Sequence, residues 1–438
     1  MSVFTLLIVI LAFIVVIGIL NEKIFHMQSD IAVLFFSLLI ALFLLFMSRV
    51  LGNDTLANML GKLGSFGFEE YLIDGVLCFM LFSGAGKVNL YKFRENIRAV
   101  SLLALLTTLI SSFVYGLLFY GMAALFHIDM GLWTCVLLGC VVSPTDPIAA
   151  TGILNKIGLS KNVCSVIENE SLFNDGTGVV LFIFVRGLVV KSHEDGFAIL
   201  MMREVLGAFA IALLVSFLFF QLMKLTHQPI MYICISLLDV SIVYLICEKL
   251  GCSGVIASVV CGMYFSWAMG KMERRVAVID PDEQYKIFWE IVENLLNSIL
   301  FVMIGILVLN VSLSKYVFIV VPAALVINTI ARVCGVSISS ILTGTKKLPG
   351  NYNLGEYVTL MSWSALKGGL SLALAIGTEE FLPNEIYLIF LNVTYATIFF
   401  TVLVQGLTVK RAYLEIEKHK AERMKKNREL KAQKIQED

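Results

Sequence analysis

Charge is the scarcest commodity in this sequence. Of its 438 residues only 15% are Asp, Glu, Lys or Arg, while 58% are hydrophobic and the mean hydropathy is +0.88. A soluble globular protein carries about 25% charged residues. Lipid-facing surface cannot hold charge without a cost of several kcal/mol per group, so a deficit of this size marks a polytopic membrane protein. Net charge is zero, and no basic surface points to nucleic acid. Proline is rare, at 7 residues, which makes each position informative. The nine cysteines form no CxxC and no metal-type Cys/His spacing. Those inside apolar runs (Cys135, Cys140, Cys234, Cys261) read as small core residues, and no cofactor is expected. There is no HExxH, no GxGD and no Ser/His pair; the histidines His26, His127, His193, His227 and His419 all fall in loops or the tail. These absences leave an intramembrane enzyme without support. The N-terminal apolar run lacks a basic n-region and a small-residue cleavage site. At about twice the usual signal-peptide core length, it reads as a transmembrane helix.

What the sequence does have is apolar runs long enough to cross a bilayer, which takes about 20 residues each. Thirteen are expected, over 2–20, 31–48, 68–85, 98–126, 131–155, 162–190, 201–223, 229–248, 252–270, 288–311, 316–343, 355–377 and 386–411. Residues 1–411 thus form one membrane domain, and 412–438 a short charged cytoplasmic tail, helical or disordered. With thirteen crossings the termini lie on opposite sides. Placing the tail in the cytoplasm puts 14 Lys and Arg in loops on that side and 7 on the other, the asymmetry of a chain with its N-terminus outside.

Two adjacent segments are not monotonously apolar. Segment 131–155 holds Ser143-Pro144-Thr145-Asp146-Pro147 near its middle. Each proline removes a backbone donor and disturbs the preceding turn. Interrupted backbone at membrane depth survives only inside protein or against a cavity, and it builds the ion sites of secondary transporters. The plainer alternative is a proline kink with Asp146 capping the second half-helix. Segment 162–190 holds Glu168, Asn169, Glu170, Ser171, Asn174, Asp175 and Thr177. Asp175 lies two helical turns after Glu168 and one after Ser171, so these share a face, while Glu170 is offset towards another partner. Carboxylate, hydroxyl and carbonyl oxygens are what a hard monovalent cation requires. The plainer alternative here is an interfacial helix with a polar end. Elsewhere intramembrane charge is sparse: Arg332, Asp239, Glu248, Glu290, Glu293 and Lys367, with Asn297 following the two glutamates. Arg332 must pair inside the bundle. Glu248, Glu290 and Glu293 lie near segment ends, where a water boundary would also explain them.

Ser143-Pro144-Thr145-Asp146-Pro147, followed about 25 residues on by Glu170-Ser171-Leu172-Phe173-Asn174-Asp175-Gly176, resembles the paired signature of the cation:proton antiporter superfamily, in its NhaP/Nhe-type sodium/proton branch. Ser253-Gly254-Val255-Ile256-Ala257 and Phe288-Trp289-Glu290 with Asn297 and Phe301 are similar to further patches of that family. The resemblance spans residues 5–411. It implies an all-α inverted repeat of thirteen helices, with two unwound helices crossing near the midplane at Thr145-Asp146 and at Lys367-Gly369. It also implies a homodimer, built from an ion-binding core bundle and dimerisation helices, in the cell membrane. By position, Asp175 binds cation or proton. Thr145, Ser171, Asp146 and Glu170 furnish or support the oxygen shell, with Na⁺ at Asp175, Ser171 and Thr145. Arg332 pairs with Glu170, and Ser143, Lys367, Glu248 and Asn297 are possible supports. Asn174 stands where electrogenic relatives have a second acid, so Na⁺ (or Li⁺) for H⁺ exchange at one to one is implied. The family usually has Arg where this chain has Lys367, which keeps the charge but not a two-pronged donor. A K⁺/H⁺ or broad-specificity exchanger remains the alternative, and a cation channel or sensor a more distant one.

Overall fold

The computed structural model describes residues 3–51, 76–87, 103–146, 161–190, 199, 202–272, 281–308, 312–343, 348, 350 and 352–437. All secondary structure among them is helical. In chain order the helices are α1 (Val3–Leu20), α2 (Ser29–Leu51), α3 (Leu77–Gly86), α4 (Thr108–Leu125), α5 (Leu132–Val142), α6 (Lys161–Val190), α7 (Gly207–Met223) and α8 (Pro229–Lys249). There follow α9 (Gly254–Met272), α10 (Pro281–Leu307), α11 (Val317–Thr343), α12 (Leu354–Trp363), α13 (Gly369–Ile376), α14 (Asn384–Phe399) and α15 (Gly406–Glu437). Each apolar segment expected from the sequence contains helix, although parts of 2–20, 68–85, 98–126, 131–155, 201–223 and 288–311 lie outside the described residues. Among the described residues, eight helices are long and apolar enough to cross a membrane, and four shorter apolar helices accompany them. Large side chains such as Val15, Phe43, Leu117, Leu214 and Phe318 point outward from these helices, as a lipid-facing surface requires.

Local chemistry explains several boundaries. Pro229 opens α8, where its missing N–H would be unpaired anyway. Asn353 and Glu356 form a reciprocal capping box at the start of α12, with bonds of 2.7 and 2.8 Å. Helix α5 stops where Pro144 follows, and residues 143–146 are not helical. A second interruption, residues 364–368, separates α12 from α13. A wide π-helical turn, Phe400–Gln405, joins α14 to α15 beside it.

Three apolar clusters hold the bundle. The largest draws on α2, α4, α5, α6, α10, α13 and α14, among others, and reaches the helix ends that flank both interruptions at Val142 and Leu370. A second joins α3, α7, α8 and α9 to Trp289 of α10. The third packs the start of α6 against α11, α12 and α15. The charged tail belongs to this third cluster: helix α15 carries it, Tyr413 and Ile416 are buried, and Arg423 pairs with Glu356 at 2.9 Å.

Candidate functional site

The two interruptions meet. The Asp146 N–H donates to Leu366 O at 2.8 Å, so backbone freed by one broken helix is satisfied by the other. Lys367, 2% exposed, sends its Nζ to Ser143 O at 2.9 Å, and its N–H bonds Thr401 Oγ1 in the wide turn at 3.1 Å. Ser143 O lies at the C-terminal end of α5, where unpaired carbonyls concentrate negative dipole and an ammonium is favourable. A carbonyl needs only one donor, so the single-pronged Lys367 serves here where a carboxylate partner would have favoured arginine. Asp146 stands opposite, at the N-terminus of α13, where negative charge is favourable. A Cβ on Gly368 would lie 3.0 Å from Asp146 Cβ and Oδ2, so the close crossing depends on that glycine.

Helix α6 lies against this crossing. Pro144 packs so tightly on Gly178 that a Cβ there would lie 2.6 Å from its ring. The Asn174 amide clamps Thr145: its Oδ1 accepts the Thr145 N–H at 3.1 Å, and its Nδ2 donates to Thr145 Oγ1 at 2.7 Å. Thr145 Oγ1 and Ser171 Oγ are hydrogen-bonded at 2.8 Å. Glu170, 1% exposed, is held by Arg332 of α11 through two bonds, Nη1 to Oε1 at 2.8 Å and Nη2 to Oε2 at 3.0 Å. The same guanidinium reaches Met361 O of α12 at 3.3 Å. Glu170 is therefore spent on tying α6, α11 and α12 together.

Asp175 differs. It is 9% exposed, and among the described residues no hydrogen bond or ion pair reaches its carboxylate. It borders a cavity of about 60 Å³, lined also by Thr145, Asp146, Ser371 and Glu293. That space accommodates one or two waters or a partly dehydrated monovalent cation. Asp146, Glu170 and Lys367 are the charged groups that bear on it.

Of the residues singled out by sequence, the structure brings together Ser143, Thr145, Asp146, Glu170, Ser171, Asn174, Asp175, Arg332 and Lys367. It does not bring Glu248 there. Glu248 lies at the α8–α9 corner, where its Oε1 accepts the Gly254 N–H at 2.9 Å and caps α9. Asn297 is fully buried on α10, with neither amide atom partnered among the described residues. Ser371, Thr401, Leu366 O and Met361 O were not foreseen; a serine, a threonine or a carbonyl in an apolar helix carries no signal of its own.

An unpaired carboxylate in a cavity at the crossing of two interrupted helices defines a membrane carrier of cations. Comparison with known proteins supplies the family. The sequence model of the transmembrane sodium/hydrogen exchangers matches residues 56–414. The chain is 31% identical over 349 residues to the Na⁺/H⁺ antiporter NhaP of Pseudomonas aeruginosa, covering 78% of this chain and 80% of that one. It is 27% identical over 354 residues to the Na⁺/H⁺ antiporter NhaH of Halobacillus aidingensis, with 78% and 82% covered. Its fold resembles that of the sodium proton antiporter MjNhaP1 from Methanocaldococcus jannaschii, with a TM-score of 0.73 at 17% identity over 95% of this chain and 99% of that one. The chain belongs to the transmembrane sodium/hydrogen exchanger family.

Proposed function

We propose that this multi-pass membrane protein exchanges Na⁺ (or Li⁺) for H⁺, one for one, through competition of the two ions for Asp175. The observation that carries the reading is the uncommitted state of that carboxylate. Every other acid of the cluster is anchored or sits against a helix end, and Asp175 alone faces the cavity without a bond among the described residues. The Ser171 hydroxyl, one turn before it on the same helix, is bonded to the Thr145 hydroxyl of the interruption beside that helix. Each hydroxyl oxygen has two lone pairs, so the pair can bond one another and still offer an oxygen to a cation. Asp146 and Glu170 support the shell, and Asn174 fixes Thr145 without adding a second titrating group.

Exchange follows from exclusion. Burial disfavours the bare carboxylate, so Asp175 holds either a proton or a cation when water is scarce. Cation binding releases the proton and proton binding releases the cation, and the two affinities are linked reciprocally. An empty, ionised carboxylate would cost about 2.5–3.5 kcal/mol or more at membrane depth, which blocks uncoupled translocation. The reading requires no cofactor. Residues 1–411 form the transport unit, with an ion-binding bundle and helices for homodimer contact within the lipid. The tail, 412–438, lies in the cytoplasm and the N-terminus outside, in the cell membrane.

The test is Asp175→Asn in proteoliposomes with a pH dye, challenged with Na⁺, Li⁺ and K⁺. The variant folds and gives no cation-driven proton flux. Retained Na⁺-dependent flux refutes the assignment, and a stronger response of the parent protein to K⁺ than to Na⁺ reassigns the cation. Valinomycin with K⁺ checks stoichiometry: a one-for-one exchanger is indifferent to the imposed voltage, whereas each uncompensated charge would feel about 2.3 kcal/mol per 100 mV.

A further inference from the structure

Besides Asp175 and Asp146, the cavity has a third carboxylate, which the exchange reaction as described does not use. Glu293 of α10 lines it and is 3% exposed. Ser83 of α3 donates its hydroxyl to Glu293 Oε2, and the Lys87 Nζ lies 3.0 Å from the same oxygen. The Lys87 side chain is 49% exposed at the end of α3, so its ammonium joins a buried acid to the water boundary. Glu168, two turns before Asp175 on α6, has Lys87 and Glu293 as its charged neighbours. Two buried polar groups, one of them on the cavity wall, lack partners among the described residues. Ser371 Oγ is 2% exposed and lines the same cavity; Asn297, one turn beyond Glu293 on α10, has both amide atoms unsatisfied. A buried orphan hydroxyl at a cavity wall implies a ligand or water in that cavity.

We infer that Glu293 is an outer binding station for the transported monovalent cation, with the Lys87 ammonium occupying it until the cation arrives. This inference rests on Asp175 being the inner exchange site. An ammonium and an alkali cation carry the same charge, so one replaces the other on Glu293 without leaving the buried carboxylate bare. The half-exposed, flexible Lys87 stem swings out to water at little cost. The cation then passes to Asp175 along a path whose oxygens come from Glu293, Ser371 and Thr145. Lys87 thus competes with the cation, and the two partners of the pair have opposite effects on apparent affinity.

The experiment measures KM for Na⁺ at fixed pH in proteoliposomes. Glu293→Gln raises KM about tenfold, more than it lowers kcat. Lys87→Met lowers KM severalfold, because the competitor is gone. A pair that serves only to hold α3 on α10 would instead give shifts of the same sign, or a loss of kcat alone, and either outcome overturns the inference. Should Glu293→Gln fail to fold, Glu293→Asp and Lys87→Met carry the same test of opposite signs. A second measurement separates this inference from the inner site. Na⁺ raises Tm in detergent by binding the folded state. In Asp175→Asn a residual Na⁺-dependent rise persists and is abolished by adding Glu293→Gln. No residual rise refutes the outer station while leaving the inner one standing. Flux through Asp175→Asn refutes the inner one.

Discussion

Removing the Arg332 guanidinium tests how the site is built more directly than removing any ligand. Arg332 is 6% exposed and Glu170 1%, and Arg332 supplies a donor to each Glu170 oxygen. Its remaining bond, to Met361 O at 3.3 Å, fastens α12 to the same point. In Arg332→Ala, Glu170 keeps, among the described residues, only the 3.3 Å contact from Asn174 Nδ2. Leaving one partner of a buried pair alone costs about 3–5 kcal/mol. Proteins of ordinary size hold only about 5–15 kcal/mol in reserve. At about 2 °C per kcal/mol, the lower end for larger domains, Tm falls by about 6–10 °C. The assay is thermal unfolding in detergent followed by size-exclusion, on Arg332→Ala, on Glu170→Gln and on the double variant. Because the penalty comes from the orphaned charge, the double variant recovers most of the loss; the coupling energy, about 2–3 kcal/mol or more, is read from the cycle. Apparent Na⁺ affinity in the surviving folded protein changes less than stability does. An unchanged Tm for Arg332→Ala, or additive single effects, would refute the reasoning.

Two further substitutions probe the crossing. Asn174→Asp keeps the acceptor for the Thr145 N–H but loses the donors to Thr145 Oγ1 and Glu170, and sets two carboxylates about as close as the present 3.3 Å contact. Exchange at saturating Na⁺ falls at least tenfold in the same flux assay, with no gain of a second transported charge; voltage-driven flux in that variant would count against the clamp role. Gly368→Ala pushes a methyl to 3.0 Å from Asp146 Cβ and Oδ2. It expresses and inserts normally yet loses most transport, and a normal KM and kcat would mean that the crossing tolerates a shift of Asp146.

Much of this architecture is legible in the sequence. The apolar runs placed the helices because a bilayer-spanning helix needs length and apolarity and little else. Prolines 144 and 147 announced one interruption, and the family resemblance the other, at Lys367–Gly369. The offset of Glu170 from the Ser171–Asp175 face predicted a separate partner, and the family resemblance pointed to Arg332 for it. Glu248 misled because an acid before Gly-Cys-Ser-Gly suits a helix cap as well as an ion path, and local spacing does not separate the two. Ser83, 210 residues from Glu293 in sequence, could not have been linked to it without the fold. Lys367 stands where the family usually has Arg, and its partner could not be read from the sequence; the fold shows its ammonium meeting the Ser143 carbonyl.

The charges at the crossing bear on the proposed one-for-one exchange. Glu170 and Arg332 cancel, being joined by two bonds in a buried place. Lys367 lies against the carbonyl end of α5 and Asp146 against the amino end of α13, so this second pair of opposite charges cancels across the crossing while each is also matched to a helix end. What is left uncompensated is the single negative charge of Asp175. One proton neutralises it, and so does one Na⁺; either leaves the moving site with no net charge, and the two loaded forms meet the same barrier. Replacing Asn174 by a second acid would break that balance at the one position where the amide already has three bonds to make. On this account stoichiometry is a property of the whole charge arrangement around the crossing helices rather than of the ion's immediate ligands, and a substitution that removes Lys367 should disturb it.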